Sequence, residues 1–172
     1  MTSLYEFHKG GIIMLWMLGV SLIAIASVIN IVFTKKPRTA ANLVEIVLLW
    51  TLFFQVGVVC LLAYYGHVFT GPVIAAQIGW PAGSGFQYEV GMMNLGLGIL
   101  GILCFWFRKD FWLATAIIAS VIMVGCGVGH IREIVIHNNW NPYNAGPGIW
   151  METIFMPVVL MTLAYFYRKL KS

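Results

Sequence analysis

The chain has 172 residues, of which 60% are hydrophobic and 9% are charged, and its mean hydropathy is +0.88. This composition excludes an ordinary water-soluble domain and predicts an integral membrane protein. The apolar runs are continuous, whereas the strands of a membrane barrel alternate apolar and polar residues. The expected fold is therefore all-α: a polytopic, single-domain bundle of transmembrane helices.

Five apolar runs follow one another along the chain, and each is long enough to cross a bilayer as a helix. About 20 helical residues span the hydrocarbon core. The predicted helices cover residues 11–33, 43–65, 88–107, 111–137 and 149–167. The first run contains a small-x-small sequence typical of signal cleavage, at residues 24–26. It is longer than the apolar part of a signal peptide and a basic turn follows it, so we expect a retained helix.

The net charge of +4 reflects orientation in the membrane. Eight of the ten basic residues follow the first, third and fifth runs: Lys35, Lys36, Arg38, Arg108, Lys109, Arg168, Lys169 and Lys171. The positive-inside rule predicts that these turns and the carboxyl terminus are cytoplasmic, and that the amino terminus and segments 66–87 and 138–148 are outside. Because the charges occupy short turns, no nucleic-acid surface is predicted. The expected location is the cell membrane, with the lipid bilayer as a partner.

Polar side chains inside the predicted helices concentrate toward the outer side. Ionisable groups are costly in a bilayer and usually serve function. The members of this set are His67, Glu89, Asn94, His130, Arg132, Glu133, His137 and Glu152. The spacing of His130, Glu133 and His137 places them on one stripe of the fourth helix, which Cys126 extends inward. The two histidines lie about 10.5 Å apart along the axis, which is too far for easy binding of one metal ion.

Ordinary helix-end electrostatics offers a second explanation for several of these residues. Glu89 and Glu152 lie in opening turns, where the helix dipole favours a carboxylate, and His67 and His137 lie in closing turns. Both explanations stay open for the two glutamates. His130 and Glu133 lie deeper, which favours function.

Two pairs resemble capping boxes, Ser84 with Gln87 and Asn42 with Glu45, and plain capping is the favoured role of Glu45. The outer segments 79–85 and 138–148 are dense in turn-forming residues. Such loops form either a lid over the polar cluster or simple connections, and the sequence favours neither.

The glycines predict close packing between helices, and the cysteines predict no disulfide bonds. Glycines stud the third helix at Gly91, Gly96, Gly98 and Gly101, and the fourth has a GxxxG motif at Gly125 and Gly129. The three cysteines, Cys60, Cys104 and Cys126, lie at different depths, so no disulfide is expected and they are interpreted as buried small residues.

An internal repeat is suggested weakly. The second and third helices echo the fourth and fifth, since each pair has a histidine at its exit and a glutamate at its re-entry. Such hairpins would bring His67, Glu89, His137 and Glu152 to a similar depth.

The segments GWPAGSGFQYEVGMMNLGLGILG and GHIREIVIHNNWNPYNAGP resemble signature segments of a family of small, uncharacterised multi-spanning membrane proteins of bacteria and archaea. The resemblance covers most of the chain. It implies the topology and the importance of Gln87, Glu89, Asn94, His130, Glu133, Asn144 and Pro147, but no activity. In that family a proline often follows the serine of the first segment, where this chain has Gly85, so the local turn is expected to differ.

Three functions remain. The first is an outward-facing pocket that binds a small ligand, a proton or a divalent cation, as in transport by a homo-oligomer. Its candidate residues are Gln87, Glu89, Asn94, His130, Glu133, Asn144 and Glu152. The second is a membrane metalloenzyme that holds iron or zinc, and its candidate ligands are His67, Glu89, His130, Glu133, His137 and Glu152. The third is an accessory subunit of a larger membrane complex, in which the polar cluster fixes helix packing.

Overall fold

The computed structural model describes residues 11–171, and every regular element in that range is helical. The helices are α1 (Gly11–Phe33), α2 (Ala40–Phe69), α3 (Gly71–Ile78), α4 (Phe86–Leu103), α5 (Asp110–His137) and α6 (Pro142–Lys171). All except the short α3 are long and apolar enough to cross a membrane, which confirms the prediction of five spanning helices. Their orientation in the membrane stays a prediction.

The helix ends differ from the predicted ones where polar residues extend or interrupt a helix. Helix α2 begins before the apolar run because the Thr39 side chain caps it, accepting a hydrogen bond from the backbone N–H of Asn42. Helix α6 begins at Pro142 but is interrupted at Gly146, whose ψ of 164° is extended. It resumes at Pro147, because a proline suits the first turn of a helix.

Two spanning helices contain a π-helical segment, Leu52–Val58 in α2 and Met151–Phe155 in α6. In each segment a backbone amide bonds to the carbonyl five residues earlier: Val59 to Phe54 in α2, and Met156 to Met151 in α6. Such wider turns are rare and are often found at functional sites. They place Gln55 and Glu152 within the spanning helices.

Helix α2 lies at the centre and packs against α1, α4 and α6. Its contact with α4 is very close, since a Cβ on Gly101 would collide with the backbone of Gly57. Gly91 and Gly98 also face α2 side chains, whereas a Cβ on Gly96, Gly125 or Gly129 would meet nothing within 4 Å. The packing role predicted for the glycines is therefore confirmed for Gly91, Gly98 and Gly101. It is wrong within the described chain for the GxxxG motif of α5.

A buried carboxylate ties together the ends of three segments. Glu45 of α2 lies 3.0 Å from Lys36 Nζ, 3.2 Å from Arg108 Nη1 and 2.7 Å from Lys171 Nζ. These cations come from the turn after α1, the turn after α4 and the end of α6. We call this end of the bundle the basic end. The capping role predicted for Glu45 is wrong, because Thr39 caps α2 and the Glu45 side chain binds cations instead.

The cysteines are free, as expected, but they do not share one environment. Cys60 and Cys104 are buried, and burial raises the pKa of the Cys104 thiol to about 11. An un-ionised thiol is a poor nucleophile, so Cys104 fits a packing role. Cys126 is exposed on α5, which corrects the prediction that all three are buried.

Candidate functional site

A hydrogen-bonded pair lies between α5 and the start of α6, at the end of the bundle opposite the basic end. His130 Nδ1 lies 2.8 Å from Asn144 Oδ1. His130 is 9% exposed and Asn144 is fully buried. Asn144 belongs to the short turn Pro142–Ala145, which folds back against α5 instead of continuing into solvent. The interruption of α6 at Gly146 therefore brings an amide side chain to the level of His130.

The hydrogen bonds of Asn144 determine which nitrogen of His130 carries the proton. Asn144 Nδ2 donates to the carbonyl oxygen of Asn139 at 2.8 Å, and lies 3.4 Å from the carbonyl oxygen of His130. The amide oxygen therefore faces the imidazole and accepts a hydrogen bond from His130 Nδ1–H. In the neutral ring Nε2 is then unprotonated and is the atom that takes up a further proton.

The two loops at this end join over His130. The Trp80 ring lies nearly parallel to the His130 ring, at 6° and with 6.1 Å between centroids. Asn139 Nδ2 donates to the carbonyl oxygen of Ile78 at 2.8 Å, which joins the loop after α5 to the end of α3. Asn139 Oδ1 in turn accepts from the backbone and side-chain nitrogens of Asn141. The loops thus cover His130, as the lid hypothesis proposed.

Gly79 is required at the contact between these loops. Its φ is +87°, and a Cβ there would collide with the side chains of Asn139 and Asn141. Gly83 has a similar φ of +82°, but nothing lies within 4 Å of its Cβ position. We expect Gly79→Ala to lower the free energy of unfolding by about 2 kcal/mol or more, combining left-handed strain with displacement of the two asparagines.

The control for this prediction is Gly83→Ala, which carries the strain without the collision and should cost about 1 kcal/mol. Thermal unfolding of each variant in mild detergent, followed by circular dichroism, measures the difference. Equal destabilisation of the two variants would show that the contact between the loops contributes nothing.

Titratable groups follow one stripe of α5 from its end toward its middle. His137 Nε2 lies 3.8 Å from Glu133 Oε1, one turn back along the helix. Glu133 acts electrostatically on His130, which lies a further turn inward. His137 is exposed, Glu133 is half-buried and His130 is buried, so the stripe leads from the surface into the bundle.

Glu152 lies further along the bundle from the His137 end than His130 does, and it is half-buried. The neighbouring Thr153 packs against Gly127 of α5, which is about 15 Å along the axis from His137. Within residues 11–171 no side chain donates a hydrogen bond to Glu152 or forms an ion pair with it. A carboxyl group without a partner inside a spanning helix is costly, which is typical of functional positions.

The remaining predicted site residues lie elsewhere. His67 Nδ1 donates to Gln87 Oε1 at 2.7 Å, and Asn94 donates to the carbonyl oxygen of Val90 at 2.9 Å in its own helix. These residues lie where α4 packs on α2. Glu89 is exposed. The predicted set is thus divided into an α2–α4 group and an α5–α6 group, and the capping box of Ser84 with Gln87 is wrong because Gln87 binds His67.

The two hairpins do resemble each other, but through histidine–amide pairs and not through histidine and glutamate. His67 with Gln87 and His130 with Asn144 each join the end of one spanning helix to the start of the next. In neither case does the glutamate of the predicted pattern form the contact. Among the described residues, no three His, Cys, Asp or Glu side chains are grouped so that they could hold a metal ion.

Sequence reasoning missed Gln55, and it included Trp80 and Asn139 only as members of the two loop segments 79–85 and 138–148. Gln55 is 1% exposed, lies in the π-helical segment of α2, and its Oε1 has no hydrogen-bond donor among the described residues. A Cβ on Gly19 of α1 would lie 2.6 Å from that oxygen. Gln55 is the lone amide in the run 43–65, a signal that was available in the sequence. The loop segments were marked in the sequence, but nothing singled out Trp80 or Asn139 within them, because their partners are distant in the chain.

A comparison with protein families matches residues 12–172 to a family of unknown function, DUF6790. The chain belongs to this family. The match covers nearly all of the sequence and agrees with the predicted membership of an uncharacterised family. No curated protein and no solved structure matches the chain significantly.

The backbone at Gly85 has a conformation that proline could also adopt, so the glycine found here does not require a different turn from that of family members with proline. Gly85 has a φ of −60°, which proline also adopts, and nothing lies within 4 Å of its Cβ position.

Proposed function

We propose that this chain is a membrane protein that binds protons at an intramembrane site formed by Glu152 and His130 and carries them during transport. The observation that carries the proposal is the position of Glu152, in a π-helical segment of a spanning helix and without a hydrogen-bond or ion-pair partner among residues 11–171. Apolar surroundings make the charged form of a carboxyl group costly, whereas the protonated form is neutral. Whether the group holds a proton therefore depends on how much water and charge surround it.

His130 is the second titratable group, and it lies on α5 about one turn from Gly127, which packs against the neighbour of Glu152. Its Nδ1–H is held by Asn144, which leaves Nε2 to take up and release a proton. The contact between Glu133 and His137 lies further out on the same stripe. Protons would thus enter from the His137 end of α5, which the positive-inside rule places outside the cell.

The first test uses purified protein in liposomes that contain a pH-sensitive dye, with a potassium gradient and valinomycin setting the membrane potential. We expect wild-type protein to conduct protons and Glu152→Gln to reduce the flux to that of empty liposomes. Glu89→Gln is the matched control, because it removes an exposed carboxylate from the same end of the bundle. Wild-type flux in Glu152→Gln would overturn the proposal.

Difference infrared spectroscopy separates proton binding from transport. The carbonyl-stretch band of a protonated carboxylic acid should respond to pH in wild type and be absent in Glu152→Gln. If the band is present but liposomes show no proton flux, Glu152 binds a proton and the protein does not transport it. Absence of both would remove the whole proposal.

One observation favours a second function, that of a subunit in a larger membrane assembly. Helix α5 presents Gly125 and Gly129 on its surface without a described neighbour, and α1 is mostly exposed. GxxxG faces often pack against another helix. Under this alternative, membrane extracts solubilised in mild detergent should yield a stoichiometric complex that Gly125→Leu disrupts, while liposomes containing the pure chain conduct no protons.

A further inference from the structure

A groove runs between α5 and α6 at the basic end of the bundle. Its volume is about 420 Å³, and its lining residues are Leu113, Met161, Tyr165, Arg168 and Lys169. Leu113 belongs to α5 and the other four to α6. Positions 161, 165 and 168 of a helix share one face, so the groove follows the helix axis. Arg168 lies about 10.5 Å beyond Met161 along that axis.

The lining changes character along the groove. Leu113, Met161 and the ring of Tyr165 form an apolar floor on the side toward the middle of the helices. Arg168 and Lys169 lie at the basic end, and Lys169 Nζ is 5.8 Å from the centroid of the Tyr165 ring. The groove therefore offers apolar contact over its inner part and positive charge at its mouth.

The charge of Arg168 at the mouth is weakly neutralised. Arg168 Nη1 lies 3.9 Å from Asp110 Oδ1, but the two side chains are 59% and 90% exposed, and an exposed pair of this kind contributes little. The other carboxylate at this end, Glu45, already binds Lys36, Arg108 and Lys171. By sequence, eight basic side chains share this end with two acidic side chains, Glu45 and Asp110, which produces an attractive field for anions.

We propose that this groove binds an anionic glycerophospholipid of the surrounding membrane. Its phosphate would contact Arg168 and Lys169, and an acyl chain would lie on Leu113, Met161 and Tyr165. Basic pockets between spanning helices suit anionic headgroups, and the guanidinium of arginine suits phosphate oxygens. A zwitterionic lipid is disfavoured, because its own cation would approach the same positive charges. The inference is independent of proton binding at Glu152.

The test titrates phosphatidylglycerol or phosphatidylcholine into the purified full-length protein in detergent and counts bound lipids by native mass spectrometry. We expect one phosphatidylglycerol to bind more tightly than phosphatidylcholine. The double variant Arg168→Gln with Lys169→Gln should weaken that binding about tenfold or more. The matched control is Lys35→Gln with Arg38→Gln, which removes two exposed charges from the same end but outside the groove and should leave binding unchanged.

A further variant tests the apolar floor without changing charge. Leu113→Trp fills the groove and should displace the lipid while Arg168 and Lys169 remain. Equal weakening in both charge variants would show diffuse attraction and overturn the proposal, as would equal binding of the two lipids. Retention of phosphatidylglycerol by Leu113→Trp would also overturn it, because the headgroup would then be bound without the groove.

Discussion

Replacement of Gly101 by leucine is expected to prevent α2 and α4 from packing together and to lower the free energy of unfolding by more than about 3 kcal/mol. A Cβ at this position would collide with the backbone nitrogen and Cα of Gly57 and would lie 2.7 Å from the carbonyl oxygen of Leu52. Backbone atoms cannot move aside as a flexible side chain does. The two helices would have to separate along the interface that also contains His67, Gln87 and Asn94.

The matched control for Gly101→Leu is Gly96→Leu in the same helix. A Cβ on Gly96 meets nothing within 4 Å, so the added side chain would extend into the surroundings at little cost. Both substitutions lose a helix-interior glycine and add the same apolar group. Thermal unfolding in mild detergent should therefore separate them widely. A Gly101→Leu variant as stable as Gly96→Leu would disprove the close approach of α2 and α4.

The sequence predicts the five spanning helices because a bilayer imposes a length and an apolar composition on each one. It does not predict the two π-helical segments, because the sequences of Leu52–Val58 and Met151–Phe155 look like those of ordinary α-helix. The interruption of α6 at Gly146 is also not predictable from the pattern of apolar residues. At the break Trp150 Nε1 donates to the carbonyl oxygen of Ala145, which a continuous helix would have satisfied. Asn144 donates to the carbonyl oxygen of Asn139, and Asn139 donates to that of Ile78 in α3, so the loop is joined to distant parts of the chain.

The candidate site was predictable in part, for a physical reason. Helical spacing alone places His130, Glu133 and His137 on one stripe, because those positions lie within one helix. It says nothing about which neighbouring helix faces them. Asn144 reaches His130 through the break in α6, and Gln87, not Glu89, reaches His67. These contacts depend on helix rotation and on loop structure, which the pattern of apolar residues leaves undetermined.

Substitution of Asn144 by leucine is expected to lower the free energy of unfolding by about 2 kcal/mol or more. Leucine has a similar size but leaves the Nδ1–H of His130 and the carbonyl oxygen of Asn139 without partners, in a position that is fully buried. Water cannot replace these hydrogen bonds without opening the bundle. The loss should also release the His130 ring, so that proton flux in liposomes falls together with stability.

Two further variants separate these effects. Asn94→Ala removes another buried asparagine, but its hydrogen bond goes to the carbonyl oxygen of Val90 within α4, so the loss should cost well below 1 kcal/mol and leave proton flux intact. Asn144→Asp keeps an acceptor for His130 Nδ1–H, removes the amide donor to Asn139, and places an ionisable carboxyl group beside the imidazole. If the Asn144 oxygen positions the imidazole, Asn144→Asp should retain more proton flux than Asn144→Leu at comparable stability. If the two variants lose flux equally, Asn144 acts only by joining the loop to α5, and the proton site must be held by Glu152 without help from His130.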